Sequence, residues 1–319
     1  MLLSIFRAFP NLKFQISNLS RFRLARRPGL GSRIFKSEIS NFCRLLVLLA
    51  LAGNPLAASS PTPQVSSLPI KPGEVVEFDA PLSNELRGFA SPTDRPVAFT
   101  AARCAVAVPA DFSPDREWPV LLVSATSDPG YNSSRALLRQ FAAPALKAGW
   151  IVVAADPPAP VELAADTDPL RYALLATALT RLQAEWPGLA AWPRAFGGFS
   201  GGAKRSGTLA AFSLLLGHPP IGVFQAGCNQ ATLRFALALP QLPHAPFLAT
   251  PIFLSSGRSD PIATPAQMDD VLADLKSTGF HPLQLERFDG GHEVYAPHVE
   301  AALRWFSEEN FRRHPPKSG

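Results

Sequence analysis

From about residue 97 onward, short unbroken apolar runs alternate with stretches in which apolar residues return every three or four positions. The runs at 97–108, 120–124, 150–155, 194–198, 221–225, 252–255 and 283–288 have strand length, and most lack polar alternation, which is the pattern of strands covered on both faces. An earlier stretch at 74–78 also reads as a strand, and Pro109 closes the run that begins at 97. Between the strands, 134–148 predicts a helix stopped by Gly149, and 201–216 predicts a helix of small apolar residues. Asp168 reads as the cap of another helix, with Pro169 in its first turn and Leu170, Leu174, Ala178 and Leu182 along one face. Thr264 and Pro265 open a helix that Gly279 ends, a short helix fits 232–239, and a last one follows Val294. Strands alternating with helices predict an α/β domain, a mostly parallel central sheet with helices on both faces.

Composition agrees with a globular chain: 47% of the 319 residues are hydrophobic and 17% charged. The formal charge of +5 is misleading as a guide to partners. Residues 1–58 hold nine basic side chains and one acidic one, so the rest of the chain carries 21 basic against 24 acidic, out of 30 and 25 in all. A mildly acidic body argues against a nucleic-acid partner. The basic stretch ends at Arg44, followed by an apolar run at 45–52 and then small residues through Ala57, Ala58 and Ser59. This order predicts a signal peptide over 1–58, a Pro- and Ser-rich linker over 59–73 and a catalytic domain over 74–319, in a protein that is secreted or periplasmic after cleavage. The charged part of the leader is long. A start site downstream of Met1 and an organelle transit peptide are therefore the competing readings. The apolar run is too short for a stable membrane span. Cys104 and Cys228 are too few and too far apart for a disulfide framework or a metal cluster, and read as buried apolar residues.

The chemistry is concentrated in three loops. Gly198-Phe199-Ser200-Gly201-Gly202 follows a short strand and opens a helix, which is the setting of a nucleophile elbow. The glycines there leave room for strand and helix to meet around a strained serine. The competing reading is a glycine-rich turn with a capping serine. A serine hydroxyl needs a base to take its proton. His292, in Gly290-Gly291-His292 after the last strand, is the candidate, because loops converge at the carboxyl ends of parallel strands. The third member of a triad must hold the imidazole tautomer. Asp260, after the 252–255 strand, is the candidate, and Asp289 is its rival, only three residues from His292. The order Ser, Asp, His along the chain is the hydrolase order.

With these residues in place, the chain from about 103 to 310 resembles the α/β-hydrolase superfamily. More narrowly, it resembles secreted carboxylesterases of the feruloyl-esterase and polyhydroxybutyrate-depolymerase-like kind. Cys104–Pro109 with Asp111-Phe112 and Trp118-Pro119, Gly257-Arg258-Ser259-Asp260, and Gly291-His292 carry the likeness. It implies an α/β-hydrolase fold and an oxyanion hole formed by the Gly201 N–H and a backbone N–H from Thr126 or Ser127. Many relatives have His-Gly after the third strand, where this chain reads Ser124-Ala125-Thr126-Ser127-Asp128, so the register of that second donor stays open. Phe199 is a candidate for apolar contact with substrate. Lys204 and Arg205 read as a solvated helix face, and Asp156 as a loop-capping residue.

The reading that follows is a serine esterase acting on a small-molecule ester through Ser200, His292 and Asp260, with no metal or organic cofactor. A peptidase or acyltransferase with the same triad, and a degenerate hydrolase kept as a binding protein, are the alternatives, since fold alone does not separate them. The oligomeric state is left open.

Overall fold

The computed structural model describes residues 67–91 and 96–315; the expected leader lies outside them. Eight strands form a single sheet: β1 Val75–Pro81, β2 Ala101–Ala107, β3 Val120–Ser124, β4 Ile151–Asp156, β5 Arg194–Phe199, β6 Pro220–Ala226, β7 Ile252–Gly257 and β8 Leu283–Phe288. Their order in space is β1-β2-β4-β3-β5-β6-β7-β8. Only β2 runs against its neighbours, and every pairing from β4 to β8 is parallel. The central strands are buried on both faces. Val120 and Leu122 of β3 turn into one core and Leu121 and Val123 into the other, as the two-residue period of a strand requires.

The helices cover the sheet on both faces. Within the described residues they are α1 Asn84–Ala90, α2 Ser134–Lys147, α3 Asp168–Glu185, α4 Gly201–Leu215, α5 Leu233–Ala236, α6 His244–Leu248, α7 Pro265–Thr278 and α8 Ala296–Arg313. One core is built on α3, α4 and α7, with Leu170, Leu174, Ala178 and Leu182 of α3 buried as the periodicity predicts. The other takes Leu138 and Phe141 of α2 and Leu303 and Phe306 of α8. The Thr264 hydroxyl and the Gln267 side chain form a reciprocal capping box at the start of α7, and Gly279 ends that helix in the left-handed region at φ 98°.

Two local expectations are corrected, and one helix is added. The strand expected from 97 begins only at Ala101, which faces Pro81 at the end of β1. Beyond that pair the Leu82 N–H reaches the Thr100 carbonyl and the ladder stops. Helix α3 is capped by Thr167, whose hydroxyl accepts from the Leu170 N–H, so Asp168 stands inside the first turn. Helix α1, capped by Ser83, was not foreseen because Gly88 interrupts its weak apolar pattern.

Candidate active site

Parallel pairing brings the carboxyl ends of β3, β5, β6, β7 and β8 side by side. Ser124 pairs with Gly198, Phe199 with Ala226, Ala226 with Ser255, and Gly257 with Phe288. All three candidate loops therefore open on one edge of the sheet. Ser200 stands between β5 and α4 with φ 55° and ψ −118°, outside the backbone regions that side-chain-bearing residues favour. Its N–H is held by the Ala226 carbonyl at 2.9 Å. Holding a non-glycine residue in such a conformation costs roughly 1–3 kcal/mol, which the surrounding packing must offset. The close approach explains the flanking glycines. A Cβ on Gly198 would overlap the Gly202 carbonyl, and one on Gly202 would overlap the Ser124 carbonyl of β3.

His292 Nδ1 lies 2.8 Å from Asp260 Oδ2. The Asp260 side chain is fully buried, and its other oxygen accepts from the Ile262 and Ala263 N–H groups, both at 2.8 Å. Both oxygens of this carboxylate are thus engaged, one by its own loop and the other by the imidazole. The acid and histidine loops are joined beyond the end of the sheet: Arg258 N–H donates to the Phe288 carbonyl at 2.9 Å, and Ser259 N–H and hydroxyl both donate to the Gly290 carbonyl. Asp289, the rival acid, is 93% exposed and pairs with Arg258 at 3.0 Å rather than with His292. The imidazole ring packs against Phe199, with centroids 4.5 Å apart, and backs onto Gly227, next to the Ala226 carbonyl that holds Ser200. Phe199 is half-buried there, whereas Phe224 is a core residue between Phe141 and Phe253.

Gly201 opens α4, where unpaired N–H groups and the helix dipole favour negative charge. Of the two residues expected to supply the facing donor, Thr126 is the one laid against Gly201, its side chain in the space a Gly201 Cβ would need. The Ser127 hydroxyl is instead bound by Arg205 at 2.6 Å. Arg205 is therefore no part of a solvated face. It is buried and also reaches the Asp166 carboxylate and carbonyl at 3.3 and 3.1 Å, and Asp168 at 3.4 Å.

Arg171, buried beside it on α3, donates to Asp166 at 2.5 and 2.8 Å, to Asp156 at 2.9 Å, and to the Asn132 carbonyl at 2.8 Å. Asp156, read from sequence as a loop-capping residue, instead reaches across to the start of α2, whose N-cap is Ser133, and accepts from the Ser134 and Arg135 N–H groups and the Ser133 hydroxyl. Burial by itself would raise the Asp166 carboxyl. The Arg171 hydrogen bonds, the Arg205 and Arg171 charges and the Ser127 hydroxyl outweigh it and hold the group below the usual carboxylate range. Sequence reasoning missed this network. Its one local sign is Arg171 standing within the apolar stretch of α3, five residues after Asp166.

Among the described residues, no cluster of three or more His, Cys, Asp or Glu side chains is arranged to hold a metal, and no helix is long and apolar enough to cross a membrane. Cys104 and Cys228 are free and buried, as expected.

No family model and no curated protein sequence matches the chain. Similar solved structures include a ferulic acid esterase, with a TM-score of 0.51 and 12% identity over 74% of this chain and 98% of that one. A dienelactone hydrolase from Anabaena variabilis gives 0.48 and 16%, over 75% and 98%. A lidless α/β serine hydrolase from Xanthomonas campestris gives 0.48 and 18%, over 79% and 100%. At these identities the likeness is one of fold. The chain has the α/β-hydrolase fold.

Proposed function

We propose that this chain is a serine hydrolase that cleaves carboxylic esters through an acyl-enzyme. The observation that carries the reading is the buried Asp260 carboxylate holding His292, whose ring packs on Phe199, the residue that precedes a serine on a strained strand-to-helix turn. Asp260 keeps the imidazole proton on Nδ1, which leaves Nε2 free to accept the Ser200 proton. Ser200 attacks the acyl carbon, and the negative charge that develops on the carbonyl oxygen is met by the Gly201 N–H and a backbone N–H of the Thr126 segment. His292 returns the proton to the leaving alcohol, and water activated by the same base releases the acid.

The substrate we favour is a soluble ester with a short or aromatic acyl group. Tyr131, Leu163, Phe235, Ile262 and Tyr295 are exposed, and each stands in a segment leaving the carboxyl end of a strand. Together with Phe199 they favour an apolar or aromatic group near the nucleophile. We further propose export, on the order of charged, apolar and small residues at 1–58; N-terminal sequencing of protein from the source cell should find a start near Ala58 or Ser59.

The direct test is labelling by a fluorophosphonate. Wild-type protein should be modified at Ser200 and lose its esterase activity, and Ser200→Ala should do neither labelling nor turnover while keeping its circular dichroism. Full activity in Ser200→Ala would refute the assignment. Faster turnover of a matched amide than of the ester would shift the reading to a peptidase.

A further inference from the structure

We propose that Arg205 is a positioning residue of this site, fixing the segment that carries the second oxyanion donor by binding Ser127 within the buried charge network. The inference rests on the esterase reading and adds to it a residue that touches no substrate. The segment from Ala125 to Ser133 joins β3 to α2 and has no regular structure of its own. It is tied at four places. The Ala125 N–H donates to the Ser134 hydroxyl at 3.1 Å, Arg205 holds Ser127, Arg171 holds the Asn132 carbonyl, and Asp156 holds Ser133.

Two of these ties flank Thr126, the residue against Gly201: Ala125 is held from α2 on one side, and Arg205 holds Ser127 on the other. The Arg205 tie originates on α4, the helix that begins at the nucleophile. The guanidinium therefore links the two halves of the oxyanion hole: its own helix contributes the Gly201 N–H, and its contact sets the facing loop. The fork geometry is needed, because one nitrogen reaches the Ser127 hydroxyl and the Asp166 carbonyl while the others reach the Asp166 and Asp168 carboxylates. Aligned donors act mainly on the transition state, so loosening this loop lowers kcat more than it raises KM.

The test compares Arg205→Met, Ser127→Ala and the double variant, using one activated ester, with phenylboronic acid as a probe that becomes tetrahedral on the serine. Ser127→Ala removes the hydroxyl that Arg205 binds, together with its longer bond to the Asp166 carbonyl at 3.4 Å, and leaves the guanidinium in place, so it stays informative if Arg205→Met does not fold. Losing one oxyanion donor outright costs about 10²–10³ in kcat, so a displaced one should cost about 10- to 100-fold, with KM within about twofold. Phenylboronic acid should weaken by a similar factor, and the double variant should be no worse than Arg205→Met. Native kcat in Ser127→Ala, an effect confined to KM, or multiplicative losses in the double variant would overturn the proposal. Ser200→Ala in the same assay separates the two claims: if it stays active the esterase reading fails, and if it is dead while Ser127→Ala is native only the Arg205 inference fails.

Discussion

Asp260→Asn should stop turnover for a reason visible in the hydrogen bonds around the carboxylate. In the native site Oδ1 accepts from two backbone N–H groups, and Oδ2 accepts from His292 Nδ1. An asparagine must give its single carbonyl oxygen to Ile262 and Ala263, because the reverse orientation would set an amide NH2 against two N–H donors in a fully buried position. The NH2 then faces Nδ1, which becomes the acceptor, and the ring proton moves to Nε2. A ring protonated there cannot take the Ser200 proton. In a serine protease with a Ser-His-Asp triad, the corresponding substitution lowers kcat by about 10⁴ with geometry intact, equivalent to roughly 5.5 kcal/mol at about 1.36 kcal/mol per decade. Asp289→Asn is the internal control: its side chain is almost fully exposed and paired with Arg258, so kcat should stay within about twofold, as for surface changes in general. Both variants should be assayed on one chromogenic ester, with circular dichroism to confirm folding. A loss smaller than tenfold in Asp260→Asn, or an equal loss in Asp289→Asn, would refute the assignment of the acid.

The thiols and the charge network give further tests. Burial, with smaller contributions from Asp79 and Asp156, pushes the Cys104 thiol up to about 12, and burial pushes Cys228 up to about 11. Iodoacetamide at pH 8 should therefore leave both unmodified in the native protein, and a mass spectrum showing either alkylated before unfolding would contradict their burial. Asp166 is held below its unfolded value of about 3.9, so its contribution to stability is complete above that value and is lost as pH falls through the lower folded one. The melting temperature should accordingly drop below about pH 4, and Asp166→Asn should be less stable at neutral pH with a shallower acid drop; an unchanged acid profile in that variant would count against the network. Across p-nitrophenyl esters, kcat/KM should be highest for short or aromatic acyl groups, and a steady rise with chain length plus a jump at an oil–water interface would show a lipase.

Much of this architecture was legible because local pattern and tertiary demand coincide. Strands β3 to β7 sit between two helical layers, so they had to be continuous apolar runs, and they read as such. The elbow was legible because only glycine tolerates the contact between Gly202 and the Ser124 carbonyl. Asp260 was separable from Asp289 by loop length alone, and the 2.8 Å contact to His292 agrees. Arg205 was misread for an equally physical reason. A Lys-Arg pair in a helix looks solvated whenever its partners are distant, and Asp166 and Ser127 are 39 and 78 residues away. A buried ion pair leaves no periodic trace, because its members are placed by the sheet order and not by their neighbours in the chain. The same holds for the register of the residue proposed as the second oxyanion donor, which depends on how the 125–133 segment is tied to α3 and α4.

The segment between β6 and β7 decides whether the site is covered by a moving flap or by a fixed wall. It contains α5 and α6, and Leu233, Leu239, Leu242 and Phe247 are buried beneath it. Leu233 packs on Gly207 of α4, the Thr232 hydroxyl donates to the Lys204 carbonyl at 2.5 Å, and the Leu248 carbonyl accepts from the His281 N–H at 2.9 Å. Lifting the segment would return four large apolar side chains to water at about 1.5–3 kcal/mol each, on the order of 6–12 kcal/mol in all. The chain entropy regained on opening offsets part of this, but the buried anchors make the segment a packed wall and not a loose flap. On the proposed reading, a wall held this firmly would give a site of constant shape, which is the expectation behind a preference for substrates that fit without rearrangement over long chains that need a lid to part. Its link to α4 through Thr232, Lys204 and Leu233 also means that the helix carrying Gly201 and Arg205 is braced from this side, while Asp166 braces it from the other. On the proposed esterase reading, this bracing would fix the oxyanion donors before substrate arrives, the condition under which backbone dipoles contribute most to the transition state.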